Sequence, residues 1–190
     1  TAIDHLVNGS KNDKLAICNM SDRHTGRVLR VNWLFRNIGI IKSQNLKHSL
    51  SSGYRTKDSQ FIATEPHINV GVFALNSNSK IWNVWQKNLK KALNKGRIFG
   101  SEQIALNFSV YIDKCDTEFL PYYCNWIPEY KTTLWDEARN TFVERYYPHN
   151  EIGIIHLAGG VKVGDKDMRY DKNLKIQLKT LSEKHIEKSF

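Results

Sequence analysis

At 190 residues, with 41% hydrophobic residues and 5 Trp, 8 Tyr and 8 Phe, the chain can build one cored globular domain and does not have the composition of a disordered one. A formal net charge of +9, from 28 Lys and Arg against 19 Asp and Glu, attracts polyanions, so nucleic acid, an anionic membrane surface and a phosphorylated small substrate are the candidate partners. No apolar run approaches the ~18 residues of a bilayer-crossing helix and no basic start precedes an apolar stretch, so neither a membrane span nor a signal peptide is read. A cytoplasmic or membrane-peripheral location is expected.

A single α/β domain over residues 1–190 is the reading, in which 1–65 carry few signals. Leu15 to Met20 and Val28 to Phe35 read as short strands, and Lys42 to Tyr54 as a connection rich in Ser, Asn and Lys. From residue 66 the pattern sharpens into a core over 66–164. His67 to Leu75 is rich in β-branched and aromatic residues and reads as a buried strand, followed by a polar Asn76-Ser77-Asn78-Ser79 cluster that can cap a helix. Ile81, Trp82, Trp85, Leu89, Ala92 and Leu93 recur at helical spacing, predicting a helix from Ser79 to Lys95 closed by a left-handed Gly96. Lys87, Lys90, Lys91, Lys95 and Arg97 fill its polar side, the solvated face of an amphipathic helix.

Ser101 caps a second predicted helix carrying Ile104, Ala105, Phe108 and Ile112, with Glu102 in the first turn where its charge meets the positive end of the helix dipole. A short strand ends at Leu120, and an aromatic, loop-rich stretch runs from Pro121 to Pro148. Ile152 to Leu157 reads as an apolar strand entering the turn Ala158-Gly159-Gly160, sharing one central sheet with the His67 strand so that Asn69 and His156 open onto one cleft. Leu174, Leu178, Leu181 and His185 mark one face of a terminal helix within 165–190. Cys18, Cys115 and Cys124 are odd in number and lack CxxC spacing, which argues for buried or incidental thiols rather than zinc or a disulfide framework.

The segment Ile154 to Lys162 holds the most chemistry. A strand-end imidazole at His156 can ligate a metal, the glycines after it let backbone N–H groups approach phosphate oxygens, and Lys162 adds a flexible cation. The structural alternative is a histidine that ends a strand before a glycine turn.

The spacing HxxGxxK at His156, Gly159 and Lys162 resembles the carboxyl-terminal signature of glycosyltransferase family 8, the glycogenin and lipopolysaccharide galactosyltransferase group. His67 to Val72 resembles that family's Asn-x-Gly-Val strand, Trp82 a Trp in the helix after it, Glu102 to Asn107 its Asp-Gln-x-x-Leu-Asn, and Phe119-Leu120-Pro121 with Asn125-Trp126 its Leu-Pro and Trp-Asn neighbourhood. The resemblance spans roughly Pro66 to Lys162. It implies a GT-A-like nucleotide-diphospho-sugar transferase fold, and retaining transfer from a nucleotide-sugar donor to a glycan, lipid or protein acceptor with a divalent cation, manganese in most members. It further implies that His156 ligates the metal, that Gly159 and Lys162 meet the diphosphate, that Asn69, beside Gly71, and Glu102 hydrogen-bond the donor sugar, and that Gln103 lies near the anomeric carbon.

Each residue keeps a plainer reading. Asn69 can serve backbone groups at a kink where Gly71 allows close packing, Glu102 can be a first-turn carboxylate, and Gln103 and Lys162 can be solvated surface residues. The family's Asp-x-Asp carboxylates have no counterpart before Asn69, and Asp165-Lys166-Asp167 follows the His156 motif instead of preceding it. Because Thr1-Ala2-Ile3-Asp4 resembles the residues directly after Asp-x-Asp, the fold is expected to be incomplete at the amino terminus, with weak or no donor binding by the chain alone. The competing expectation is a non-enzymatic basic module that binds nucleic acid or another polyanion through its positive surface and the aromatic segment Tyr122 to Trp135.

Overall fold

The computed structural model describes residues 1–20, 31–32, 37–38, 40–96, 98, 100–128, 133–156 and 175–189. They form a mixed α/β fold with small sheets. Where one domain is expected, the chain gathers into two compact units, Ile3–Tyr122 and Thr1–Ala2 with Tyr123–Phe190. No helix among the described residues is long and apolar enough to cross a membrane.

The larger unit is built on a three-stranded sheet. Strand β1 (Leu15–Asn19) lies in the middle, antiparallel to β4 (Ile68–Ala74) and parallel to β5 (Thr117–Phe119). As the central strand, β1 is apolar on both faces, with Leu15, Ala16 and Ile17 fully buried. Each aliphatic side chain of that kind contributes ~1.5–3 kcal/mol by leaving water. Two-residue strands β2 (Val31–Asn32) and β3 (Asn37–Ile38) pair with each other, and β2 is the part of the expected Val28–Phe35 strand that lies within the described residues. Helices α1 (Ala2–Gly9), α2 (Ile40–Ser51) and α3 (Thr56–Thr64) fall where few signals were read. α2 corrects the expected Lys42–Tyr54 connection: its polar sequence shows almost no apolar stripe, and it buries Asn45 and Ser49 instead.

Helix α4 (Ile81–Lys95) matches the expected span, and the Ser79 hydroxyl accepts the Ile81 N–H at 3.1 Å as its cap. Gly96, however, is not left-handed, with φ −92° and ψ −176°. Glycine is needed there for proximity, because a Cβ would run into the Ser52 hydroxyl and the Ala92 carbonyl. Gly96→Ala is therefore expected to cost ~1–3 kcal/mol through overpacking, read as a lower urea midpoint at unchanged slope. Helix α5 (Ser101–Tyr111) starts at Ser101 and is preceded by a left-handed Gly100, φ 82°, so the serine is not the cap; its hydroxyl lies 3.3 Å from His48 Nε2. α5 is apolar on most sides because it is covered on most sides. Leu106 and Val110 pack with Leu15, Ile17, Ile68 and Ile81, while Ile104 and Phe108 pack with Tyr54, Ile62 and Ala92.

The other unit corrects several expectations. The stretch from Pro121 to Pro148 contains a hairpin of β6 (Thr133–Asp136) and β7 (Thr141–Glu144), with Trp135 edge-on to Phe142 across the pair. Its turn is closed by the Asp136 carboxylate, which accepts the Ala138 and Arg139 N–H groups and pairs with the Arg139 guanidinium; that guanidinium holds the carboxyl below its usual range. The expected terminal helix is instead a hairpin of β8 (Lys175–Lys179) and β9 (His185–Ser189). Residues 165–174 lie outside the described residues. Ile152 to His156 is not a strand of the three-stranded sheet and makes only isolated bridges, Glu151 with Val143 and Ile155 with Trp126.

Candidate functional site

In the larger unit, β4 and α5 bring the two central motif segments together. The Asn107 carboxamide, 1% exposed, accepts the Ile68 N–H at 3.2 Å and donates to the Ile68 carbonyl at 3.3 Å and the Gln103 carbonyl at 2.8 Å. Among the described residues β4 is an edge strand of this sheet, so Ile68 turns these polar groups away from β1, and Asn107 stands where a neighbouring strand would bond them. One turn earlier on α5, the Gln103 side chain reaches the His67 Nε2 at 2.5 Å, and Asn45 from α2 reaches its Nδ1 at 2.7 Å.

His67 is 3% exposed, and burial pushes its pKa down to about 4. The ring is thus neutral near pH 7, with one N–H and one lone pair. Of the two amides touching it, one must donate and the other must present its oxygen, since a carboxamide's nitrogen and oxygen are interchangeable in shape. The imidazole thereby fixes which way Gln103 faces. Gln103 itself is half-buried, Glu102 is exposed, and the Glu102 carbonyl accepts the Trp85 indole N–H at 2.9 Å.

Asn69, half-buried, accepts the Gly71 N–H at 2.9 Å through its side-chain oxygen, and Gly71 is exposed. The Asn69 side chain thus serves a backbone N–H of its own strand, which is one part of its plainer reading, while the exposed Gly71 is not the point of close packing in that reading. His67 and Asn45 were not singled out from the sequence: a buried histidine at a strand start has no distinguishing pattern, and Asn45 lies in a segment read as a connection.

In the other unit, Asn125-Trp126 and Ile154-Ile155-His156 meet. The Trp126 N–H donates to the Ile154 carbonyl at 2.9 Å, the His156 N–H donates to the Trp126 carbonyl at 2.7 Å, and His156 Nδ1 lies 3.0 Å from the Asn125 side-chain oxygen. In the tautomer that donates from Nδ1 to this oxygen, a neutral ring has its lone pair on Nε2. Metal-ligating histidines are oriented by a hydrogen bond of this kind. Among the described residues there is still no group of three or more His, Cys, Asp or Glu placed to hold a metal ion. Gly159 and Lys162 lie outside the described residues, as does Leu157. Cys18, Cys115 and Cys124 form no disulfide, the Cys18 thiol donates to the Pro121 carbonyl at 3.2 Å, and burial raises the Cys124 thiol to about 11, an unreactive state near neutrality. No protein-family model, curated protein or solved structure matches this chain.

Proposed function

We propose that the chain belongs to a retaining sugar-nucleotide transferase of GT-A-like architecture and carries the residues that orient the donor sugar, with a glycan, lipid or protein acceptor. The observation that supports this most is the Asn107 clamp, which locks the helix bearing Glu102 and Gln103 to the strand bearing Asn69. In this reading Asn69 and Glu102 hydrogen-bond sugar hydroxyls, Gln103 faces the anomeric carbon in an orientation fixed by His67, and Gly71 keeps the approach to the strand open. His156 would supply the imidazole ligand to a manganese ion, and Gly159 and Lys162 would meet the donor diphosphate. One imidazole does not replace the oxygen ligands such an ion needs, so the described residues do not compose a metal site by themselves.

The polyanion-binding alternative needs exposed aromatics for stacking, and its two tryptophans, Trp126 and Trp135, are 1% and 5% exposed. Its exposed lysines, Lys87, Lys90, Lys91 and Lys95 on α4, are the solvated face expected of that helix.

Ligand-observed NMR with a panel of nucleotide sugars and manganese tests the proposal. Weak binding of one donor is expected, of order ~1 mM, lost in Gln103→Ala and Asn69→Ala with unchanged circular dichroism. The reading fails if both variants bind as the parent does, or if only oligonucleotides and heparin bind.

A further inference from the structure

At the far end of β4 from Asn69, the strand leads into a surface of different character. Trp82 is 37% exposed, and its indole N–H donates to the Asn76 carbonyl at 2.9 Å, which fixes the ring on its helix. Trp82 stacks on Trp85 with centroids 5.6 Å apart and an interplanar angle of 16°, and Phe73 meets both indoles edge-on, at 6.0 and 5.5 Å. Trp85 is itself pinned to the Glu102 carbonyl. The outer member of this rigid stack lines an open depression of ≈ 510 Å³ with Ser77, Asn78, Ser79 and Asn83. Ser79 is committed to capping α4, whereas Ser77, Asn78 and Asn83 are exposed.

We propose that this depression is a binding site for a neutral saccharide, with one pyranose ring lying against the Trp82 indole and its hydroxyls meeting Ser77, Asn78 and Asn83. A pyranose presents C–H groups on its face and hydroxyls around its rim, and the depression presents the complement, a flat apolar ring bordered by amides and a hydroxyl. No Lys, Arg, Asp or Glu lines it, although the chain carries a formal charge of +9, so an anionic ligand finds no counter-charge there. Because the indole is already stacked and hydrogen-bonded, binding orders little further, and the ligand does not lose affinity to that cost. From Asn69 to Ala74 an extended strand rises ~16 Å, which sets the depression apart from Asn69, while the stack behind Trp82 reaches the Glu102 carbonyl through Trp85; saccharide binding here does not depend on the donor reading.

The test is titration of the whole chain with maltohexaose, cellohexaose and chitohexaose, followed by ligand-observed NMR and tryptophan fluorescence. At least one is expected to bind, with Trp82→Ala weakening it about tenfold or more, Trp82→Phe less, and Asn78→Ala and Asn83→Ala each measurably. Near-ultraviolet circular dichroism checks that the variants keep the fold, and Asn83→Ala leaves the aromatic stack untouched. The proposal is overturned if none of the three binds at ~10 mM, if Trp82→Ala and Asn83→Ala bind as the parent does, or if Trp82→Ala dissociates a dimer in sedimentation, which would mean that a second copy covers the ring. Should Gln103→Ala and Asn69→Ala bind nucleotide sugar as the parent does while an oligosaccharide still binds through Trp82, the donor reading falls and this site stands.

Discussion

Asn107→Leu is expected to lower the stability of the chain by about 3 kcal/mol or more, with the helix content of the native state retained. Leucine has the branching and heavy-atom count of asparagine but bulkier methyl groups, so no cavity opens and overpacking adds to the polar cost. It strands the Ile68 N–H and carbonyl, which point away from β1 at an edge that α5 covers, and water cannot reach them because Ile68 is fully buried. Each buried backbone group left without a partner costs ~1–3 kcal/mol. Asn107→Asp should cost as much by a different route: it keeps an acceptor for the Ile68 N–H but loses both donated bonds and buries a carboxylate. Urea unfolding of both variants is the measurement. If either stays within 0.5 kcal/mol, about the range of ordinary surface substitutions, the clamp is not what holds α5 to β4.

The same pair of elements shows how far the sequence can be read. β4 and α4 are legible because each carries a strong single period, β-branched residues in one and an apolar stripe in the other, and the observed spans Ile68–Ala74 and Ile81–Lys95 fall within one or two residues of the expected ones. The contact of α5 with β4 is not legible, since the Asn107 bonds join residues far apart in the chain. α2 was missed because it buries polar residues, whose partners only the folded chain supplies. The terminal hairpin was missed for a nearer reason. Leu174, Leu178 and Leu181 fit a helical spacing, but Lys175-Ile176-Gln177-Leu178-Lys179 also alternates strictly, and the period of two is the one that forms, in register with His185–Ser189. At Ile152 to His156 composition reads as a strand, yet its backbone partners are split between Phe142 on β7 and the irregular segment at Tyr123 and Trp126, which gives bonds without a continuous ladder. Of the candidate site, Gln103, His156 and Asn125 all stand in segments named through motif spacing, while the contacts of Gln103 with His67 and of His156 with Asn125 are visible only in the folded chain.

Stability is expected to fall by ~3 kcal/mol between pH 6.5 and pH 4 on account of His67 alone. The folded chain holds this imidazole at about 4, because burial opposes its charge, whereas the unfolded chain protonates it near the ordinary value of 6.5. Between those values the unfolded state binds the extra proton, so the equilibrium shifts toward it as the pH drops. Above 6.5 both states are neutral and nothing is lost; below 4 both are charged and the loss is complete. The local geometry adds to the penalty. A protonated ring must donate from both nitrogens, so Asn45 and Gln103 would both have to present oxygens in a site where a neutral ring needs only one. The Tyr111 hydroxyl, which donates to the carbonyl of the preceding Pro66, is raised by burial first and Glu65 second and is neutral throughout this range. His67→Gln removes the titrating group while keeping an amide able to donate and accept. Urea midpoints measured at intervals from pH 7.5 to 4.5 should therefore show a steep acid limb in the parent and a flatter one in the variant, whatever the offset between them at neutral pH. Parallel limbs would mean that His67 is not held neutral by its surroundings, and Gln103 would then lose the partner that fixes its orientation.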